Sequence, residues 1–79
     1  MNKKKFKLTL SKHAYIRILE RITSMSFSDA EDFALREIQK SKITLTQLLD
    51  DGTKAIAYIN KDIKYIVKGK TIVTIYTTY

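Results

Sequence analysis

The spacing of apolar residues changes once along this chain, from a helical period to an alternating one, and this change limits the folds open to it. Tyr15, Ile18 and Ile22 recur at intervals of three and four, which is typical of the buried face of an α-helix. From residue 54 onward, β-branched and aromatic residues fill three short runs, as strands favour. A chain of 79 residues is long enough for one domain and not for two. We therefore predict a single α+β domain over residues 1–79.

Two helices are predicted in the first half. The first covers residues 12–24. Ser11 immediately precedes it, and serine is a residue type that caps helix N-termini. The second starts near Ser28, because Ser28-Asp29-Ala30-Glu31 has the sequence of a capping box. It runs to about residue 40, because Lys40 and Lys42 carry positive charges, which are stabilising near a helix C-terminus.

Strands account for the rest of the prediction. Residues 6–10 alternate apolar and polar, which indicates a short first strand. Asn60-Lys61 and Lys68-Gly69-Lys70 are connections short enough to join antiparallel neighbours. The three later strands are expected at residues 54–59, 62–67 and 71–77. The expected architecture is two N-terminal helices packed on an antiparallel sheet of three or four strands.

Charge is distributed unevenly along the chain, which carries a net charge of +7. Residues 1–21 and 54–79 are basic, whereas residues 22–53 are acidic. If the two ends fold together, one face is positive, as in proteins that bind nucleic acid or an acidic partner. The alternative is a lysine-rich surface that only confers solubility.

Composition removes several classes of protein. No cysteine and a single histidine leave no zinc site, and two glycines leave no phosphate-binding loop. No apolar run approaches the roughly 20 residues of a membrane span. We expect a soluble, cytoplasmic protein with no cofactor, no metal and no membrane partner.

The first helix carries a polar stripe. His13, Arg17 and Arg21 are spaced four residues apart and drift by about 40° per step around the helix. Arginine pairs with phosphate oxygens and histidine moves protons near neutral pH, so the stripe could hold a phosphate. The alternative is a solvated helix face on which Glu20 offsets an arginine.

The last strand is a second candidate site. Strict alternation puts Val73 and Ile75 on one side, and Ile72, Thr74 and Tyr76 on the other. Thr74 and Tyr76 would then present two hydroxyl groups on one sheet face. The alternative is that threonine and tyrosine are simply favoured in strands.

Contacts to nucleic acid are expected mainly from the basic ends of the chain. Tyr58 and Tyr65 could stack on bases, although most strand tyrosines pack against the core. The lysine candidates are Lys5, Lys7, Lys12, Lys64, Lys68 and Lys70.

Two segments together suggest a family. Ser11-Lys12-His13-Ala14-Tyr15-Ile16-Arg17-Ile18-Leu19-Glu20-Arg21 resembles the first helix of small phage and bacterial proteins in the barnase–EndoU–colicin–RelE group of RNase toxins. Gly69-Lys70-Thr71-Ile72-Val73-Thr74-Ile75-Tyr76 resembles the strand that often closes them. The resemblance implies a RelE-like fold and cleavage of transfer RNA or ribosome-bound messenger RNA, held off by an antidote protein. It implies that His13 is the acid/base, that Arg17 and Arg21 hold phosphate, and that Thr74 and Tyr76 position it.

Metal-independent RNA cleavage fits the available residue types. The RNA 2′-hydroxyl attacks the adjacent phosphorus and leaves a 2′,3′-cyclic phosphate, while the protein supplies proton transfer and positive charge. The main alternative is a non-catalytic basic module that binds nucleic acid or an acidic host protein. A third alternative is an inhibitor built on a nuclease fold. The sequence leaves the oligomeric state open.

Overall fold

Two helices and five strands make up residues 8–77, the part of the chain that the computed structural model describes. Neither helix in this part is long and apolar enough to cross a membrane. In chain order the elements are β1 (Thr9–Leu10), α1 (Lys12–Arg21), α2 (Phe27–Lys40), β2 (Ile43–Leu48), β3 (Lys54–Asn60), β4 (Ile63–Lys68) and β5 (Thr71–Thr77).

The sheet is mixed, with the strand order β1-β5-β4-β3-β2. Strands β2 to β5 form an antiparallel meander, whereas β1 pairs in parallel with β5, with Thr9 opposite Thr71 and Leu10 opposite Ile72. The expected antiparallel sheet of three or four strands under two N-terminal helices, RelE-like in outline, is therefore wrong. Strand β1 precedes the helices, and it pairs in parallel with β5, the last strand of the chain. The sheet therefore has five strands, and one of its pairs is parallel.

The turns between the later strands confirm the expected antiparallel connections. Lys61 and Gly69 have φ angles of 58° and 65°, the left-handed conformation that two-residue hairpin turns require. Glycine adopts it without steric cost, and Lys61 adopts it at some cost.

Both helices differ from the prediction at one boundary. Helix α1 ends at Arg21 rather than residue 24, and Ile22 is its C-cap. Helix α2 is capped by Ser26 and not by Ser28, because the Ser26 hydroxyl accepts a hydrogen bond from the Asp29 amide at 3.1 Å. The first residue of α2, Phe27, meets Tyr15 edge-on with ring centroids 5.2 Å apart. This contact between helices favours the earlier start.

The main core lies between the helices and one face of the sheet. The buried residues that helix α2 contributes to it are Ala30, Ala34 and Ile38, and the half-buried Leu35 packs against it. The two alanines let the helix approach the sheet closely. Helix α1 contributes Ala14 and Ile18. The sheet side chains buried there are Leu10, Tyr65, Val67, Ile72 and Ile75.

A bulge in β5 changes which side chains enter this core. The register shifts so that Val67 faces Ile72 while Ile66 faces Thr74, which leaves Val73 as an extra residue. Ile72 and Ile75 therefore both enter the main core. Val73 instead packs with Ile66 in a second cluster that contains no helix residue. The predicted strict alternation, with Val73 and Ile75 on one side, is wrong for this reason.

A buried polar cluster joins α2 to the sheet. The Glu37 Oε1 atom accepts hydrogen bonds from Asn60 Nδ2 at 2.9 Å and from the Tyr65 hydroxyl at 3.3 Å. Asn60 and Tyr65 are both buried. Burial, followed by the charge of Glu37 and this hydrogen bond, holds the pKa of Tyr65 well above its ordinary value. Such a cluster is stabilising only while every member keeps its partner.

We predict that Tyr65→Phe makes stability less sensitive to alkaline pH. The raised pKa means that the contribution of Tyr65 is complete below the unfolded-state value of about 10 and is lost as pH rises beyond it. Urea unfolding followed by circular dichroism between about pH 8 and 11 should show a smaller alkaline loss in Tyr65→Phe than in the natural protein. The half-exposed Tyr76 gives the control: Tyr76→Phe should follow the natural protein. Parallel losses in all three proteins would contradict the prediction.

Candidate nucleic-acid interface

The first turn of α1 is attached to the bulged part of β5 through Ser11. The Ser11 amide donates to the Ile72 carbonyl at 3.0 Å, and its hydroxyl donates to the Val73 carbonyl at 3.1 Å. The same hydroxyl oxygen accepts from the Ala14 amide at 3.0 Å, which caps the helix. We call these three bonds the Ser11 joint. They fix where α1 begins and how it meets the last strand.

The polar stripe of α1 lies on the flank that points away from α2. Tyr15, on the opposite flank by helical geometry, meets Phe27 and donates from its hydroxyl to the Met25 carbonyl at 2.8 Å. His13 and Arg21 are exposed. The stripe is therefore not covered by the second helix.

Arg17 is held mainly by packing. Its side chain is only 28% exposed, and its Nη1 atom lies 3.9 Å from the Glu20 Oε1 atom. An ion pair this long and this exposed at the glutamate contributes little. The Nε atom is enclosed and has no hydrogen-bond partner among the described residues. For Arg17, the expectation that Glu20 offsets an arginine is thus met by a weak contact.

Thr74 and Tyr76 lie on the sheet face away from the helices, which we call the outer face. Thr74 is paired with Ile66 and Tyr76 with Lys64, and paired side chains lie on the same face. Tyr76 is 45% exposed. The two hydroxyls do share one face, as predicted, and the bulge adds Val73 to that face in place of Ile72.

The candidate residues do not all converge. Ser11 binds the carbonyl next to Thr74, and His13 lies two residues beyond Ser11, so the joint brings the first turn of α1 beside β5. Arg21 stands at the other end of α1, about 12 Å along the axis from His13. A ligand that contacts all three stripe residues must therefore be extended along the helix.

The described lysines differ in their surroundings. Lys12 is exposed at the start of α1, next to the joint. Lys64 lies across from Tyr76. Lys68 donates to Asp51 Oδ2 at 3.3 Å, and the negative charge of Asp51 offsets the attraction of Lys68 for phosphate. Lys70 is exposed in the last turn, while Lys5 and Lys7 lie outside the described residues.

The Asp51 carboxylate accepts hydrogen bonds within the β2–β3 turn and from Lys68. Hydrogen bonds from the Thr53 hydroxyl and amide, and then from Lys68, lower the pKa of Asp51 to about 2. The group therefore stays charged at all ordinary pH values. It belongs to the β2–β3 turn and to Lys68, and not to a catalytic carboxylate pair.

Tyr65 is not available for base stacking because it is fully buried against Glu37. Tyr58 is half-buried and packs against the main core. The sequence indicates Ser11 only as a helix cap, whereas the structure gives it a second role in the bond to β5. No local pattern signals its bond to Val73, since the two residues are 62 positions apart.

The surface around the joint is open, and the described part of the chain forms no pocket. No protein-family model matches this chain, and neither the curated proteins nor the solved structures contain a match. Function must therefore be argued from the residues and their geometry.

We predict that Ser11→Ala destabilises the protein more than Ser26→Ala. Both variants lose an N-cap, worth about 1 kcal/mol, but Ser11→Ala also loses the bond to Val73, worth about 1 kcal/mol more. Urea unfolding at neutral pH measures both losses on the same scale. Equal losses would show that the bond to β5 contributes nothing.

Proposed function

We propose that this protein is a metal-independent endoribonuclease that acts on RNA in the cytoplasm. In this proposal the RNA backbone crosses the first turn of α1 and the adjoining part of β5. His13 transfers the proton, Arg17 holds the reacting phosphate, and Arg21 holds a neighbouring phosphate farther along the helix. Thr74 and Tyr76, which lie on the outer face, position the RNA backbone beyond the reacting phosphate, and the lysines attract the RNA.

The observation that supports it most is the Ser11 joint. An RNA path that runs from a helix onto a neighbouring strand needs a fixed relation between the two elements. Three hydrogen bonds of 3.0–3.1 Å at Ser11 supply such a relation. His13 is exposed beside this anchored residue, so a substrate in solution has access to it.

The proposed step requires no group beyond those of the protein and water. A base removes the proton of the 2′-hydroxyl, whose oxygen attacks phosphorus and expels the 5′-oxygen. The leaving oxygen takes up a proton, and a 2′,3′-cyclic phosphate remains. Since the chain has one histidine, His13 serves as one partner, and a lysine or water serves as the other. The arginine and lysine charges stabilise the extra negative charge that develops on phosphorus.

The charge distribution also fits a protein antidote. A net charge of +7 favours rapid association with an acidic protein. The resemblance of the α1 and β5 segments to RNase toxins supports the same partner. An acidic antidote that covers the Ser11 joint would block the RNA path.

A second candidate function is favoured by the open surface. Because no pocket surrounds the joint in the described residues, the same groups suit a module that binds RNA without cleaving it. Such a module binds with strong salt dependence and without turnover. The exposed Tyr76 beside Lys64 would then act as a stacking and phosphate contact.

We predict that His13→Ala abolishes cleavage and leaves folding intact. His13 is exposed on a helix, where substitution changes stability by less than about 0.5 kcal/mol. The assay incubates the purified protein with total RNA and with transfer RNA in EDTA, and analyses the ends of the fragments. The expected products carry 2′,3′-cyclic phosphate and arise from the natural sequence only.

Thr23→Ala is the matched control, since Thr23 is exposed in the loop after α1 and has no proposed role. It should cleave RNA like the natural protein. Cleavage retained in His13→Ala would exclude the assigned mechanism. Intact RNA that is retarded in a gel at low salt would select the binding module.

A further inference from the structure

Strand β2 is an edge of the sheet that lacks the usual protection. It pairs with β3 on one side only, and no described residue pairs with its other side. Edge strands normally carry lysine, proline or a bulge that prevents pairing with another chain. The six residues of β2, Ile43–Leu48, contain no charge and no proline.

Apolar side chains are exposed along this edge. Ile43 is 50% exposed, Leu45 is 51% exposed and Leu48 is 69% exposed. These are among the most exposed large apolar side chains of the described chain. A strand that leaves both its main chain and its apolar side chains open is suited to bind another strand.

The hydrogen-bonding groups on the free side can be assigned. The Leu49 amide donates to the Thr53 carbonyl at 2.8 Å. In an antiparallel ladder such pairs alternate, so the polar main-chain groups of Leu45 and Gln47 point toward β3. Those of Thr44, Thr46 and Leu48 point outward.

The charges that flank β2 indicate which partner fits it. Lys42 precedes the strand and Asp50 follows it, and both side chains are exposed. In an antiparallel pair of identical strands, the beginning of each lies against the end of the other. The basic end of one copy then meets the acidic end of its partner twice.

We propose that β2 pairs with β2 of a second copy of this chain, antiparallel across a two-fold axis at Thr46. The two sheets then become one continuous sheet. In this register Thr46 faces Thr46, and Thr44 faces Leu48, so every outward amide and carbonyl of these residues is used. Ile43 faces the half-buried Leu49 on the outer face, and Lys42 faces Asp50.

This interface is separate from the Ser11 joint. The joint involves β5, whereas β2 is the last strand at the other end of the order β1-β5-β4-β3-β2. The pairing therefore leaves both RNA paths of a dimer open. The proposed β2 pairing does not depend on whether the protein cleaves RNA.

The size of the interface predicts a weak dimer. A strand of six residues is about 20 Å long, and pairing along it buries less than the area of a standard stable interface. Sedimentation equilibrium should show a reversible change from the 9.2 kDa chain to twice that mass as concentration rises to about 1 mM. A monomer throughout this range would overturn the proposal.

Cysteine cross-linking tests the register, because the natural chain has no cysteine. Opposed residues in a hydrogen-bonded pair have Cα atoms about 5.5 Å apart, within the reach of a disulfide. Thr46→Cys should therefore form a disulfide dimer under mild oxidation. In the same register the two copies of residue 44 are about 13 Å apart along the strands, and those of residue 45 lie on a diagonal of about 7–8 Å.

Thr44→Cys, Leu45→Cys and Thr23→Cys are the matched controls, all at exposed positions. Thr46→Cys should cross-link about tenfold faster than each of them, because pairing raises the effective concentration of its thiols. Equal rates at all four positions, or faster cross-linking at residue 44 or 45, would overturn the proposed pairing.

Charge exchange provides an independent test. Lys42→Asp should weaken the dimer about three- to tenfold, since each copy loses an exposed ion pair and gains a like-charge contact. Adding Asp50→Lys to the same chain should restore association. A double variant as weak as the single one would contradict the antiparallel arrangement.

Discussion

The attachment of residues 9–11 to β5 is the constraint on which the rest of the structure depends. The Thr9 amide donates to the Lys70 carbonyl at 2.8 Å, and Ser11 continues the same ladder onto Ile72 and Val73. The parallel pair and the start of α1 follow from these bonds, and the bulge at Val73 lies beside them. Because the only other strand that pairs with β5 in the described sheet is β4, they also connect the start of the described chain to its last strand. Glu31 reinforces the link by accepting from the Leu10 amide at 3.0 Å.

Much of the fold follows from local patterns in the sequence. The strands predicted at 54–59, 62–67 and 71–77 correspond to β3, β4 and β5 within one residue at each end. Their β-branched residues and short turns are strong local signals. The C-terminal end of α2 is confirmed at Lys40, and Ser11 is confirmed as the cap of α1.

The failures arise where distant parts of the chain decide the outcome. Strand β1 was expected, but its parallel partner is set by a contact 62 residues away. The capping-box residue Glu31 instead binds Leu10, and Ser26 begins the helix. The bulge at Val73 has no sequence signal, since isoleucine, valine and threonine suit either face of a strand. The candidate residues on α1 could be found from their spacing, whereas the bond from Ser11 to the carbonyl before Thr74 required the structure.

The two ends of the sheet carry different surfaces. At one end β5 adjoins a basic helix flank, an exposed histidine and strand hydroxyls, which suits a phosphate backbone. At the other end β2 is uncharged, exposes three apolar side chains and is open along its main chain, which suits a second copy. Lys64 and Tyr76 on the outer face extend the first surface away from the helices. A dimer joined at β2 would present two such surfaces on one continuous sheet.

The most direct measurement is an amide chemical-shift titration of the His13→Ala variant with a short RNA at low salt. This variant is expected to bind without cleaving. If the Ser11 joint is the RNA surface, the shifts concentrate at Lys12–Arg17 of α1 and Val73–Thr77 of β5, and Ile43–Leu48 stays unchanged. Shifts centred on β2 or α2, or none at all, would contradict a nucleic-acid surface at the joint.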